Sequence, residues 1–69
     1  MHTSKALHLS EIQLVLIRMI IEGKKDEEIA INLGETKSNI KAMVEEMLEE
    51  LGLSSRVELA VYATQKGWI

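Results

Sequence analysis

The chain of 69 residues is long enough for one domain at most and lies near the lower size limit for a self-sufficient hydrophobic core. With 46% hydrophobic and 28% charged residues its composition is globular, and the absence of cysteine excludes both a disulfide framework and a thiolate metal site. The net charge of −3, from 8 basic and 11 acidic residues, disfavours nonspecific binding to nucleic acid or to anionic membranes.

A first helix is predicted over about 11–22. Ser10 is a suitable N-cap, and Gln13 three residues later completes a capping-box pattern. Gly23 follows the last apolar residues and marks the end of the helix. The longest uninterrupted apolar run, 14–17, is far too short to span a bilayer, and no signal-peptide pattern precedes it. We therefore expect a cytoplasmic protein that has no membrane partner.

A second helix over about 27–33 and a third over about 37–51 are separated only by a short turn around Gly34. We expect Asp26 to cap the second helix and Thr36, or the residue after it, to begin the third. The third helix carries an apolar stripe with the spacing of one helix face. Its members are Ile40, Val44, Met47, Leu48 and Leu51. Two helices joined by so short a turn have the geometry of a helix-turn-helix.

A fourth helix is predicted over about 56–66, capped by Ser54 or Ser55. No stretch of the chain shows the strict polar–apolar alternation of a half-buried strand. The sequence therefore predicts an all-α fold, a compact four-helix domain with a central helix-turn-helix. We expect this domain to occupy 9–69, after a flexible leader over 1–8.

Five short segments carry the most specific sequence signals. They are Glu28-Ile29-Ala30, Ile40-Lys41, Leu51-Gly52-Leu53, Ser55-Arg56 and Gly67-Trp68-Ile69. In this order and spacing, and without a gap over 9–69, the chain resembles the LuxR/GerE-type helix-turn-helix DNA-binding domain of bacterial transcription regulators. The resemblance implies a dimeric, sequence-specific regulator that binds double-stranded DNA with its third helix in the major groove.

The same resemblance implies which residues contact DNA. In such domains the N-terminal residues of the third helix reach base edges and phosphates, and Lys41 matches the lysine of the family pattern directly. Two further lysines in the turn before the second helix are suited to a flanking phosphate. The implied DNA-binding residues are Lys24, Lys25, Thr36, Lys37, Ser38, Asn39 and Lys41. The alternative is that these lysines form an ordinary solvated surface.

Four positions depart from the family pattern in a direction that weakens DNA binding. Asp26, Glu27, Glu46 and Glu50 stand where the family has asparagine or lysine. Over 37–51 two lysines contribute +2 and four glutamates contribute −4, so the third helix carries a net charge of −2. These glutamates form either a solvated face that stays clear of the groove, or a surface that replaces DNA binding by protein binding.

Two apolar surfaces are candidates for a dimer or partner interface. On the fourth helix, Val57, Val61 and Thr64 follow one another at i, i+4 and i+7, and the resemblance implies a homodimer through this helix. On the first helix, Ile12 and Val15 replace residues that are usually charged in the family. They mark a partner surface or a locally overfilled core.

No catalytic or metal site is recognisable, and no cofactor or small-molecule ligand is implied. The two histidines, His2 and His8, lie in the leader, and Ser54 and Ser55 have no partner base in the sequence pattern. The chain also lacks a glycine-rich phosphate loop. We therefore do not expect an enzyme.

Two functions remain, and DNA binding is favoured. The alternative is a protein-interaction module on the same fold, an antagonist or co-regulator that engages another regulator or RNA polymerase through its acidic third helix or its apolar first helix. Region 4 of sigma factors is a poorer match. Related regulators commonly carry a sensory domain before this module, so the chain is either free-standing or part of a longer regulator.

Overall fold

The computed structural model describes residues 9–68, which form four α-helices. They are α1 (Glu11–Ile21), α2 (Asp26–Leu33), α3 (Lys37–Leu51) and α4 (Arg56–Gln65). Each predicted boundary lies within one residue of the observed one, and the all-α class is confirmed. The predicted leader over 1–8, with its two histidines, lies outside the described residues.

Side-chain caps begin three of the helices as the sequence predicts. Ser10 Oγ accepts a hydrogen bond from the Gln13 backbone N–H at 3.2 Å, and the Ser10 N–H donates to Gln13 Oε1 at 2.9 Å, which completes the capping box of α1. Thr36 caps α3 and Ser55 caps α4, each accepting from the backbone N–H three residues later at 3.1 and 3.2 Å. These bonds satisfy donors that a helix start leaves unpaired.

The predicted N-cap of α2 is wrong. Lys25 has the extended backbone of the cap position, its N–H donates to Glu28 Oε1 at 3.0 Å, and Asp26 is the first helical residue. The Asp26 carboxylate is drawn instead to the guanidinium of Arg56, with which it forms an ion pair. An aspartate in the first helical turn is also favourable to the helix dipole, so the sequence alone did not separate the two positions.

The turn between α2 and α3 depends on Gly34. This residue has φ +68° and ψ 35°, a left-handed conformation that other residues rarely adopt. The following N–H, that of Glu35, donates to the carbonyl oxygen of Ala30 at 2.9 Å and closes the helix end. Only residues 34–36 separate the two helices, so their relative position is tightly constrained.

The core is built from all four helices. Its buried residues are Leu16, Ile17, Ile29, Ala30, Ile40, Val44, Met47, Leu59 and Ala63. Met19 and Met43 pack partly buried around it, and Tyr62 packs edge-to-face on Trp68 with ring centroids 5.4 Å apart. Within residues 9–68, no helix has the length and apolar character needed to cross a membrane.

Candidate nucleic-acid interface

The first turns of α3 present polar side chains to solvent. Lys37, Ser38, Asn39 and Lys41 are all exposed, whereas Ile40 between them is fully buried in the core. Burial of that isoleucine fixes the rotation of the helix, so its neighbours are directed away from the core. The four residues that were predicted to read DNA therefore lie together at one end of one helix.

Lys37 is engaged by a carboxylate. Its Nζ lies 3.3 Å from Glu27 Oε2 across the turn between α2 and α3, and both side chains are largely exposed. Two groups hold the pKa of the Glu27 carboxyl below its ordinary value. The larger effect comes from a hydrogen bond with the backbone N–H of Glu27, and the next comes from the Lys37 ammonium. Lys37 is consequently a cation that already has an internal partner.

Asn39 is also engaged by a carboxylate. Its Nδ2 donates to Glu35 Oε1 at 2.9 Å, and its backbone N–H donates to the capping oxygen of Thr36 at 3.1 Å. Glu35 is half-buried in the turn before α3, and its backbone N–H donates to the carbonyl oxygen of Ala30 at the end of α2. The side chain of Asn39 is therefore held in one orientation at the start of α3.

The other predicted phosphate-binding lysines have no carboxylate partner in the described part of the chain. Within residues 9–68 the ion pairs join Lys37 to Glu27 and Arg56 to Asp26, which leaves Lys24, Lys25 and Lys41 without one. Lys24 lies against the groove between α1 and α4, and Lys25 occupies the N-cap position of α2. Lys25 and Lys37 both lie close enough to Glu27 to lower its pKa, so these two candidates share one part of the surface.

The C-terminal half of α3 is acidic and solvent-exposed. Glu45, Glu46 and Glu49 line a shallow depression together with Ala42, Leu48 and Leu53. Because successive residues rise by about 1.5 Å along a helix, Glu45 lies about 6 Å beyond Lys41 on the same face. The last turn of α3 contains no basic residue, although the helix dipole favours cations there.

The four acidic departures from the family pattern are not equivalent in the structure. Asp26 is neutralised by Arg56 and Glu27 by Lys37, whereas Glu46 and Glu50 are exposed and have no ion-pair partner within residues 9–68. The sequence pattern did not show that the first two of these carboxylates are paired with cations. It also missed that the second pairing occupies a predicted DNA-binding lysine.

The contacts of Glu27 and Glu35 with two residues predicted to bind DNA were not evident from the sequence. Glu35 precedes Asn39 by four positions but lies before the Thr36 cap and outside α3, so helical spacing alone does not predict their contact. Glu27 lies ten positions before Lys37, and their proximity follows only from the packing of α2 on α3.

The predicted surface of α4 borders an apolar groove. Val57 is 73% exposed and Val61 50% exposed, and together with Thr64 they line this groove beside Ile20 and Ile21 of α1. The two candidates on α1 lie outside that lining. Of these, Ile12 is 38% exposed and Val15 is half-buried, so this pair exposes less apolar surface than Val57 and Val61 do.

Comparison with known proteins identifies relatives of this domain. The chain is 32% identical over 59 residues to the transcriptional regulatory protein YdfI of Bacillus subtilis (strain 168), a match that covers 86% of the chain and 28% of that protein. It is 27% identical over 63 residues to the bialaphos biosynthetic pathway regulatory protein of Streptomyces hygroscopicus, covering 91% of the chain and 25% of that protein.

The chain thus spans about a quarter of the length of the curated relatives that it matches. No solved structure gives a significant match to it. The family described as "Bacterial regulatory proteins, luxR family" matches residues 6–63, which include the helix-turn-helix and most of α4. The chain belongs to the luxR family of bacterial regulatory proteins.

Proposed function

We propose that the chain is a sequence-specific DNA-binding transcription regulator whose helix α3 enters the major groove with its N-terminal half. The observation that carries this proposal is the set of exposed polar side chains on the first turns of α3, between the Thr36 cap and Lys41. In helix-turn-helix proteins these turns contact base edges. Membership of a family of bacterial regulatory proteins supports the same function.

The charges favour a DNA complex that depends on few phosphate contacts. Among the lysines predicted to contact DNA, Lys24, Lys25 and Lys41 have no internal ion pair within residues 9–68, whereas Lys37 has to exchange Glu27 for a phosphate. Each neutralised phosphate contributes to affinity by releasing a counterion, so we expect weak nonspecific binding. Specificity then depends mainly on contacts with base edges.

The acidic half of α3 limits how the helix lies in the groove. Ser38 and Glu45 are separated by about 10 Å along the helix axis, slightly more than the roughly 8.5 Å depth of the major groove. With Ser38 near the bases, Glu45 comes close to the bordering phosphates, whereas Glu49 lies about 6 Å further out. We therefore expect α3 to enter the groove end-on.

A homodimer through α4 completes this proposal. Val57 and Val61 present exposed apolar side chains at one edge of the groove between α1 and α4, and a two-fold contact there would cover them. A small domain gains core-like burial from such a contact. Two copies related in this way would read half-sites about 34 Å apart.

The test is a titration of duplex DNA with the protein over a series of salt concentrations. Binding that weakens as salt rises supports the proposal, and Lys41→Gln should reduce the slope of log K against log salt by about 0.9. Lys66→Gln at the C-cap of α4 is the matched control, because it removes the same charge from a residue not assigned to DNA. Absence of duplex binding at low salt, or equal effects of the two variants, contradicts the proposal.

A second candidate function is protein binding by the acidic face of α3. The depression lined by Glu45, Glu46 and Glu49 with three apolar residues suits a basic, partly apolar segment of another regulator or of RNA polymerase. Charge reversal of Glu46 and Glu50 to lysine separates the two functions. If reversal creates DNA affinity where the parent chain has none, protein binding is favoured. If it barely changes existing DNA binding, both glutamates face solvent in the DNA complex.

A further inference from the structure

The Asn39 side chain has a defined hydrogen-bonding state before any ligand is present. Its backbone N–H is bound by Thr36 Oγ1 at 3.1 Å, and its side-chain Nδ2 donates to Glu35 Oε1 at 2.9 Å. The Glu35 N–H donates to the Ala30 carbonyl at 2.9 Å, which fixes the backbone from which the Glu35 side chain extends. The carboxylate that orients the Asn39 amide is therefore carried by the turn at the end of α2.

The chemistry of the partner determines which edge of the amide is free. An ionised carboxylate can only accept hydrogen bonds, so the atom beside Glu35 has to be the amide nitrogen and not the amide oxygen. The nitrogen carries two protons, and donation of one leaves the second proton and Oδ1 for a ligand. The unoccupied groups of Asn39 are consequently one acceptor and one donor.

The free acceptor Oδ1 and the free Nδ2–H donor of Asn39 are complementary to one base edge in the major groove. Adenine presents a donor at N6 and an acceptor at N7, whereas guanine presents two acceptors, one of which would face the Asn39 oxygen. Cytosine offers a donor and thymine an acceptor, so each would satisfy only half of the amide. Adenine is therefore the base that uses both free groups when Glu35 accepts the amide proton directed away from Oδ1, because the two-point contact needs the proton on the same side as Oδ1.

We propose that Asn39 is the residue that reads an adenine in each half-site, and that Glu35 is a positioning residue that holds its amide for this contact. The inference rests on the proposed DNA-binding function and names the base at one position of the operator. Glu35 also places a carboxylate near the phosphates, so it lowers affinity for every sequence while it raises discrimination at this one base pair.

The experiment selects bound sequences from a random duplex library with the parent chain and three variants, Asn39→Ala, Glu35→Ala and Glu35→Gln. For the parent chain we expect one position per half-site at which adenine is preferred roughly 5-fold to 150-fold. Asn39→Ala should abolish that preference. Replacing the selected adenine by 7-deazaadenine, which lacks N7, should weaken binding of the parent chain but not of Asn39→Ala.

The two Glu35 variants separate positioning from charge. Glu35→Ala should raise affinity for unselected DNA and reduce the adenine preference, because the charge and the hydrogen bond are both lost. Glu35→Gln should also raise affinity but keep the preference, since its side-chain oxygen still accepts from Asn39. A preference that survives Glu35→Ala unchanged overturns the positioning role.

Two outcomes separate the role of Asn39 from DNA binding by the chain as a whole. If the parent chain binds duplex DNA with a base preference that Asn39→Ala leaves intact, Asn39 is not the reader, although the chain still binds DNA. If the parent chain binds no duplex at low salt, both proposals fail. Circular dichroism of each variant verifies that the helices are retained.

Discussion

The carboxylate of Asp26 and the guanidinium of Arg56 join the first residues of α2 and α4 through one hydrogen bond, from Nη2 to Oδ2 at 2.9 Å, and one charge contact between Nη1 and Oδ1 at 2.6 Å. The two side chains are 16% and 35% exposed, so the pair is partly shielded from solvent. The hydrogen bond adds direction to the attraction between the charges. Asp26, which in sequence is a departure from the family pattern, thereby contributes to the tertiary structure.

We expect Asp26→Asn to lower the free energy of unfolding by about 1–2 kcal/mol, between the values typical of exposed and of buried ion pairs. The substitution keeps the shape of the side chain but leaves Arg56 without its partner charge. Urea denaturation measures the change, and Glu22→Gln, which alters an exposed carboxylate at the end of α1, should change stability by less than about 0.5 kcal/mol. If Asp26→Asn lowers the free energy of unfolding as little as Glu22→Gln does, the ion pair does not contribute the expected stability.

The contact between Lys37 and Glu27 predicts a change in titration behaviour. Lys37→Met should raise the pKa of Glu27 towards its ordinary value, because the ammonium is one of the groups that lower it. The backbone hydrogen bond remains in the variant, so the pKa should not recover completely. Carboxyl NMR titration measures this shift, and Lys41→Met is the control that should leave the pKa of Glu27 unchanged.

The stability that the ion pair between Lys37 and Glu27 gives to the fold should depend on pH. The pKa of Glu27 is lower in the folded than in the unfolded chain, so its contribution is fully present above the unfolded pKa. It is lost as the pH falls through the folded pKa. The stability difference between the parent chain and Lys37→Met should therefore shrink on acidification through that range. A difference that grows in acid would contradict this assignment.

Two isoleucines of α2 provide a matched test of the core. Ile29 is fully buried and Ile31 is 82% exposed, although both belong to the same short helix. Ile29→Val should lower the free energy of unfolding by about 0.5–1.5 kcal/mol, because it removes a buried methylene group. Ile31→Val should change it by less than about 0.5 kcal/mol. Thermal unfolding measures the stability of both variants. Similar losses of stability would contradict an orientation of α2 that buries Ile29 and exposes Ile31.

The exposed valines of α4 predict where two copies meet. Val61→Glu should abolish the proposed dimer in sedimentation experiments, because a carboxylate would then be buried in an apolar contact. The monomer should keep its fold, since this side chain is 50% exposed. Ile12→Glu is the matched variant on α1. If Ile12→Glu disrupts the dimer and Val61→Glu does not, the contact between the two copies lies on the first helix.

The helices were predictable because their signals are local. The apolar stripe of α3 and the caps at Ser10, Thr36 and Ser55 depend on residues within a few positions of each other, and all of them are present in the structure. Asp26 was misassigned because an aspartate suits both the cap and the first turn, and its distant partner decides between them. That partner, Arg56, is 30 positions away.

The polar contacts around the candidate interface were harder to predict for the same reason. Lys37 and Asn39 were identified as exposed polar residues from their place on α3, but a sequence pattern does not give the acceptors that surround them. Glu27 reaches Lys37 only because α2 packs against α3, and Glu35 reaches Asn39 only because Thr36 begins the helix between them. Such contacts follow from the assembled fold.

The short connections between the helices also have a consequence for how the chain folds. Residues 22–25, 34–36 and 52–55 link consecutive helices, so most native neighbours are close in sequence. Little chain entropy is lost before such local contacts form, and helical domains of this topology fold within microseconds to milliseconds. The packing of α4 on α1 spans the greatest sequence separation. We expect that docking step to limit the folding rate, with α2 and α3 already paired when it occurs.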